Sequence, residues 1–370
     1  MAQSSPLVRA LQQAVDCGIF PGAVLLVRVQ GVVRCHEAVG RLGHHPYDRP
    51  VHPHTIYDLA SLTKPLVTAT ALLCLIEDGK VALDQPVGSI LSEIADSSLG
   101  SVTIRQLLAH RAGLPAWKPY YQMLFSPHDL RLNRDRQNER LLCFMKKEAL
   151  LHPKSSTGVY SDLGFMLLGL VIERCGQQPL AVYCRDHIFQ PAEAAPLFFI
   201  DVGNVSPHRD QIAPTEDDPW RGRVLQGEVH DENAYALGGI AGHAGLFGTA
   251  VAVGQLSRLW LKAVCGQESF LSSSLAKEFV KKQDETGKAS WGLGWDTPSR
   301  PSSSGQWFSP QSFGHLGFTG TSLWIDPVCE LEVIFLSNRV HPTRDNTQIQ
   351  SLRPALHDLV YQEYVGLGKR

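Results

Sequence analysis

Apolar residues in this chain follow two periods, and the period changes with position. Near the start, "GAVLLVRVQGVVRCHEAVG" (Gly22 to Gly40) reads as two β-rich runs around Gln30-Gly31, which predicts a hairpin. Near the end, "HLGFTGTSLWIDP" and "LEVIFLSNRV" form a second pair joined around Val328-Cys329-Glu330. Between these ends the spacing is helical: Pro65 to Asp78, Ile104 to Ala109, Leu163 to Cys175 with Gly176 as its stop, Leu180 to Phe189, and Ala250 to Val264. A further amphipathic segment, Ile349 to Tyr364, suits a helix packed on the sheet. The order predicts an α+β fold in which an antiparallel sheet is built from both chain ends, is flanked by helices and receives a large helical insertion. As domains, residues 1–57 with 291–370 are expected to form a discontinuous α/β sheet unit, and 58–290 a mainly helical region. The Pro/Ser/Gly-rich "DTPSRPSSSGQW" (Asp296 to Trp307) reads as a loop re-entering the sheet.

Composition narrows the class without naming a chemistry. A chain of 370 residues with 44% hydrophobic and 19% charged residues can bury a large core. The formal charge is −2, and the densest basic stretch, Arg131 to Arg140, also carries Asp135 and Glu139, so it reads as a solvated helix face. No nucleic-acid partner is expected. The N-terminal "MAQSSPLVRALQQAVDCG" lacks the basic and apolar regions of a secretory signal, which predicts a cytoplasmic protein. The longest apolar run, Pro65 to Ile76, falls short of the about 20 residues that cross a bilayer. The eight cysteines form no Cys-x-x-Cys pair and are expected to be reduced packing residues.

Candidate chemistry begins at "DLASLTKPLVTATALLCLIEDG" (Asp58 to Gly79), where Ser61 and Lys64 stand three apart at the head of an apolar run. Serine is a common helix cap, and a second Ser-x-x-Lys occurs at Ser274 to Lys277, so the motif alone decides little. Its chemical reading is a nucleophile beside its own base. Residues i and i+3 share a helix face, and a desolvated amine or a phenolate can take the proton of a serine hydroxyl. Two further short motifs follow in order: Tyr160-Ser161-Asp162 at the mouth of a helix, and His315-Leu316-Gly317 at the start of a strand. Taken alone, Tyr160 is equally well explained as a packed aromatic before a helix cap.

Together these motifs resemble the serine β-lactamase and penicillin-binding-protein superfamily, on the class C side with its esterases, D-alanyl carboxypeptidases and muropeptide amidases. That family carries Ser-x-x-Lys, then Tyr-x-Asn, then Lys-Thr-Gly or a His-x-Gly variant. "GIFPGAVLLVRVQGVV", "GKVALDQPVGSIL", "SVTIRQLLAHRAGLPAW", "YSDLGFMLLGLVIE" and "AGLFGTAVAVGQLSRL" are similar to family segments in the family's order, from about Leu11 to Asn338. The resemblance implies a β-lactamase/transpeptidase-like fold, Ser61 as nucleophile, Lys64 and Tyr160 as the residues that manage its proton, and an acyl-enzyme. It implies an oxyanion hole made by the backbone N–H groups of Ser61 and Phe318, with Gly317 beside the substrate. Ser274 has no tyrosine motif after it and is expected on an exposed helix.

Two departures modify that expectation. Asp162 stands where the family has asparagine, which favours the Lys64 ammonium and moves the base role toward Tyr160. His315 stands where the family has lysine, which removes a permanent cation that could hold a substrate carboxylate. The segment Pro214 to Ala250, "PTEDDPWRGRVLQGEVHDENAYALGGIAGHAGLFGTA", is expected to be an ordered loop over the cleft. Its His230, Asp231 and His243 are candidate substrate contacts, with loop-stabilising hydrogen bonds or a zinc site as alternatives; no His-Glu-x-x-His supports zinc. No phosphate loop, dinucleotide fingerprint or Gly-x-Ser-x-Gly elbow occurs, and no cofactor or metal is expected.

The functional expectation is a cofactor-free serine hydrolase acting on an amide or ester in a small molecule or short peptide, with a peptidoglycan fragment as the favoured substrate. A carboxylesterase or weak β-lactamase is the alternative on the same scaffold. A non-hydrolytic penicillin-binding or sensor protein is the alternative of a different class.

Overall fold

The computed structural model describes residues 5–124, 134–156, 158–204, 206, 208–284 and 289–366. Ten strands occur in them: β1 (Gly22–Val29), β2 (Val32–Gly40), β3 (Tyr57–Asp58), β4 (Leu197–Phe199), β5 (Asp217–Asp218), β6 (Arg223–Val224), β7 (Leu246–Gly248), β8 (Phe313–Leu316), β9 (Ser322–Asp326) and β10 (Leu331–Ser337). The main sheet runs β2-β1-β10-β9-β8 with every neighbour antiparallel, so both chain ends do build one sheet. Gln30 and Gly31 both take positive φ, 49° and 76°, the two-residue turn that matches strand twist, and this closes the first hairpin where the sequence places it.

Both faces of the sheet are covered, which is why β1 is apolar but for one residue and why all eight of its residues are buried. Val24 and Leu26 point into a large core shared with the Thr70–Glu77 and Ala250–Val264 helices. Ala23, Leu25, Val27 and Val29 point the other way, onto Leu7 and Leu11 of the Pro6–Asp16 helix and Leu356 and Val360 of the Ile349–Tyr364 helix. Each such leucine or valine contributes about 1.5–3 kcal/mol by leaving water. The one charged residue of β1, Arg28, is buried opposite Glu332 of β10 at 3.3 Å and also donates to the Gly254 carbonyl at 2.8 Å.

The predicted helices at Ile104, Ala250 and Ile349 form with the expected bounds to within a residue. The stretch from Leu180 to Phe189 instead changes at Arg185 from α to the wider π form. Pro6–Asp16, an unpredicted helix, is capped by Ser5. The second Ser-x-x-Lys lies on the surface helix Ser273–Val280, with Ser274 and Lys277 exposed. Of the basic stretch, Arg134 onward opens the Arg134–Met145 helix, whereas 131–133 lie outside the described residues. The helical stretch Ala60–Glu77 is longer than the apolar run inside it and, at 18 residues, reaches bilayer-spanning length and hydropathy; 78% of it is buried within the fold, as in a core helix. The loop from Asp296 re-enters the sheet by bridging Gly314.

Candidate active site

The site starts from a strained turn. Ala60 has φ +48°, unusual for a residue with a side chain, and its N–H donates to the buried Asp58 carboxylate at 2.8 Å. The other Asp58 oxygen accepts the His230 N–H at 2.7 Å, so one carboxylate ties this turn to the Pro214–Ala250 segment. Ser61 follows inside a 3₁₀ turn, Ala60–Leu62, rather than at a helix cap, and Lys64 opens a π-helical stretch, Lys64–Ala69. Thr63 fixes the turn by donating to the Ala60 carbonyl at 2.6 Å and accepting the Leu246 N–H at 3.2 Å.

Lys64 is fully buried, with its Nζ 3.0 Å from Ser61 Oγ, 3.2 Å from the His243 carbonyl oxygen and 2.7 Å from Asp162 Oδ1. Burial pushes this amine down, but the Asp162 carboxylate and Tyr160 outweigh it and hold it above the ordinary lysine range. Tyr160 lies beside both, its ring centroid 4.7 Å from Lys64 Nζ. Burial raises its phenol above the usual range, opposed by Lys64 and by the Ser61 hydroxyl. The tyrosine is wedged between His110, 4.6 Å away ring to ring, and Trp291, at 5.2 Å. His110 Nδ1 accepts the N–H of Ser161, whose own side chain caps the Asp162–Gly176 helix, so Tyr160 is also the residue before a helix cap.

The edge strand β8 brings the third motif. His315 Nδ1–H donates to the Leu316 carbonyl at 2.8 Å, and its Nε2 has no partner among the described residues. Burial and the nearby Lys64 push its imidazole down to about 3, so it is neutral at physiological pH. The sequence leads one to expect partial charge; the buried strand position removes it. Next in the chain, Gly317 is held against Thr321 and the Leu59 carbonyl, where any Cβ would collide. The N–H of Phe318 donates to no group among the described residues. Thr319 and Thr321 donate to the Asp58 and Leu59 carbonyls at 2.7 and 3.1 Å, locking this strand end to the turn that carries Ser61.

These elements line a cavity of about 730 Å³ that contains Ser61, Tyr160, Asp162, His230, Asp231, His315, Gly317 and Phe318. His230 bonds Glu216 at 2.9 Å, whereas His243 bonds Asp231 at 2.8 Å. The three candidate contacts therefore form separate pairs instead of converging as metal ligands would. Asp231 also caps the Glu232–Ala236 helix; burial would raise its carboxyl, but His243 outweighs that and holds it low. His243 does not line the cavity: its side chain is buried behind Asp231, and its carbonyl serves Lys64. Asp296 and Trp291 also line it, and so do three arginines: Arg339, Arg344 and Arg353. None of these, nor Asp58 or His110, belongs to a short motif that sequence reasoning singled out. Burial pushes the Asp296 carboxyl up to about 6.

The cavity thus presents a serine hydroxyl, a phenol and an unengaged backbone N–H, with a buried amine behind the serine, the groups that acyl transfer requires. The family model described as Beta-lactamase matches residues 7–355. A putative D-alanyl-D-alanine carboxypeptidase of Escherichia coli O157:H7 is 32% identical, over 90% of this chain and 81% of that protein. An N-acetylmuramyl-L-alanine amidase of Bacillus subtilis (strain 168) is 28% identical, over 91% and 82%. Among solved structures, EstCE1, a hydrolase with promiscuous acyltransferase activity, superposes with a TM-score of 0.74 at 24% identity, covering 96% of this chain and 97% of that one. A class C β-lactamase from Rhodobacter sphaeroides gives 0.72 at 20% identity, covering 97% and 99%. The two structures share its fold, and the sequence match along nearly its whole length establishes that the chain belongs to the Beta-lactamase family.

Proposed function

We propose that this serine hydrolase cleaves an amide in a peptidoglycan-derived peptide or muropeptide through an acyl-enzyme on Ser61. The observation that carries the reading is the Lys64 amine, buried and held between Ser61 Oγ at 3.0 Å and Asp162 at 2.7 Å, two residues that line a substrate-sized cavity. The relatives named as a D-alanyl-D-alanine carboxypeptidase and an N-acetylmuramyl-L-alanine amidase support the substrate class.

In this reading Ser61 Oγ attacks the carbonyl carbon while its proton passes to Tyr160 in the phenolate form. The Asp162 carboxylate keeps Lys64 as an ammonium, whose charge stabilises that phenolate. The N–H groups of Ser61 and Phe318 receive the oxyanion, each worth about 3 kcal/mol in a water-poor site. Collapse breaks the C–N bond, the amine takes the proton from Tyr160, and water then hydrolyses the ester on Ser61. The eight free thiols fit a reducing compartment, and we place the reaction in the cytoplasm.

Neutral His315 favours a second reading, hydrolysis of an uncharged ester, because the family's strand-edge cation is absent here. Comparing kcat/KM for an N-acetylmuramyl-L-alanine, an N-acyl-D-alanyl-D-alanine and a short-chain p-nitrophenyl ester separates the two. Amide turnover above the ester's supports the amidase or carboxypeptidase; turnover of the ester alone moves the esterase ahead.

A further inference from the structure

Among the described residues, four Phe, Tyr or Trp side chains line the cavity that contains Ser61: Trp117, Tyr160, Trp291 and Phe318. Three of them are engaged by neighbouring rings or cations. Tyr160 and Trp291 pack on each other at 5.2 Å between centroids, and both pack on His110 and His315. Phe318 has Arg339 over its ring at 4.5 Å and the His230 ring at 5.6 Å. Trp117 differs: it is 44% exposed, and its one ring neighbour among the described residues is Tyr121, tilted at 6.3 Å. A tryptophan this open inside a cleft offers a flat, electron-rich apolar face to whatever the cleft takes up.

Backbone bonds on both sides hold Trp117 in place. Before it, the carbonyls of Pro115 and Ala116 accept the Ser161 hydroxyl at 2.6 Å and the Asp162 N–H at 2.9 Å, which sets Trp117 beside the motif that carries Tyr160. After it, the Lys118 carbonyl accepts Asn233 Nδ2 at 2.9 Å, and the Tyr121 N–H donates to Asn233 Oδ1 at 2.8 Å. Asn233 is fully buried in the Glu232–Ala236 helix, so one side-chain amide ties the tryptophan loop to the start of that helix. Asp231 and Glu232, the two residues before Asn233, both line the cavity. Asp231 takes His243 Nε2 at 2.8 Å and the Ala234 N–H at 2.7 Å on the same oxygen, Oδ1, and Glu232 takes Arg344 on Oε1. No donor among the described residues takes Asp231 Oδ2 or Glu232 Oε2. An ionised carboxylate oxygen can only accept, so this wall calls for O–H or N–H groups.

The two demands together narrow the ligand. A phenyl or alkyl group would cover the indole and leave the carboxylate oxygens unmet, whereas a peptide N–H would meet an oxygen and leave the indole bare. A pyranose ring meets both, with C–H groups on its face and O–H groups around its rim. We propose that Trp117, Asp231 and Glu232 form a sugar subsite, in which a pyranose of the substrate stacks on the indole and its hydroxyl or acetamido N–H groups donate to the free carboxylate oxygens. Hydrogen bonds to an ionised acceptor are the stronger kind, which suits a ring that must be held in one orientation. The subsite rests on the proposed serine amidase reading and narrows it: the substrate is an amide that still carries its sugar, not a bare peptide.

The test is a ratio of affinities, measured by isothermal titration on Ser61→Ala so that turnover does not enter. Two ligands share one amide: N-acetylmuramyl-L-alanine, and 2-methoxypropionyl-L-alanine, in which a methyl group replaces the sugar. The sugar ligand is expected to bind about tenfold more tightly. Adding Trp117→Ala is expected to bring the ratio of the two affinities to about one, and Trp117→Phe to keep part of the preference. Because each ratio is taken within one preparation, a partial loss of folded protein leaves it unchanged. No binding of the sugar ligand, equal affinity for the two, or a ratio unmoved by Trp117→Ala overturns the subsite. Phenylacetyl-L-alanine binding as tightly as the sugar ligand also overturns it, because an apolar group would then suffice. Fluorophosphonate labelling of the wild type separates the two claims: labelling at Ser61 without a sugar preference removes the subsite alone, and a sugar preference without labelling removes the serine reading on which it rests.

Discussion

Lys64 and Asp162 form a 2.7 Å ion pair behind the cavity that contains Ser61, with the lysine fully buried. The pair's charges add to the effect of burial on the titratable groups around it. Burial by itself would lower the Lys64 amine, and the carboxylate with Tyr160 outweighs that; the carboxylate also adds to the rise of the Tyr160 phenol. Whichever of the two accepts the Ser61 proton must be deprotonated to do so, and both lie above their ordinary values.

The rate should therefore rise with pH through neutrality, without a plateau below about pH 10, the ordinary phenol range. Asp162→Asn removes the carboxylate, leaves burial to dominate at Lys64 and lowers both groups. Its kcat/KM profile is expected to reach half-maximum at a lower pH than that of the wild type. A half-maximum that does not move contradicts the control assigned to the pair.

Tyr160→Phe removes one hydroxyl and keeps the ring wedged between His110 and Trp291. A proton-transfer residue typically contributes 10²- to 10⁴-fold, so kcat for ester hydrolysis should fall by about that factor with the melting temperature nearly unchanged. A loss smaller than about 3-fold would return Tyr160 to a packing role.

Arg28 and Glu332 face each other across β1 and β10, with Glu332 fully buried. Arg28→Met strands a buried carboxylate and is expected to cost about 3–5 kcal/mol in denaturant unfolding. Replacing Arg28 by Met and Glu332 by Leu together should recover most of that loss. A double variant no more stable than the single one would show that the pair itself stabilises the sheet.

Much of the fold is legible in the sequence because its signals are local. The Gln30-Gly31 turn, the period of Ala250–Val264 and the amphipathic Ile349–Tyr364 are each fixed by neighbouring residues. The Pro6–Asp16 helix carried signals as plain: Ser5 as cap, Pro6 in the first turn, and Leu7, Leu11 and Ala14 on one face. The site is legible only in part. Ser61, Lys64, Tyr160, Asp162 and His315 stand in short motifs, and the fold brings four of them to one cavity with Lys64 buried behind Ser61. Asp58 and Arg353 act through partners far along the chain, His230 for one and Gly317 for the other, so no local pattern marks them. The charge of His315 depends on how deeply β8 is buried, which its neighbours in sequence do not determine.

The central claim is that Ser61 is an activated nucleophile. Intact mass after incubation with a fluorophosphonate, followed by peptide mapping and with Ser61→Ala alongside, tests it without a known substrate. The account predicts one adduct per chain, on Ser61, and none in the alanine variant. No adduct, or an adduct on another residue that persists in Ser61→Ala, would contradict it.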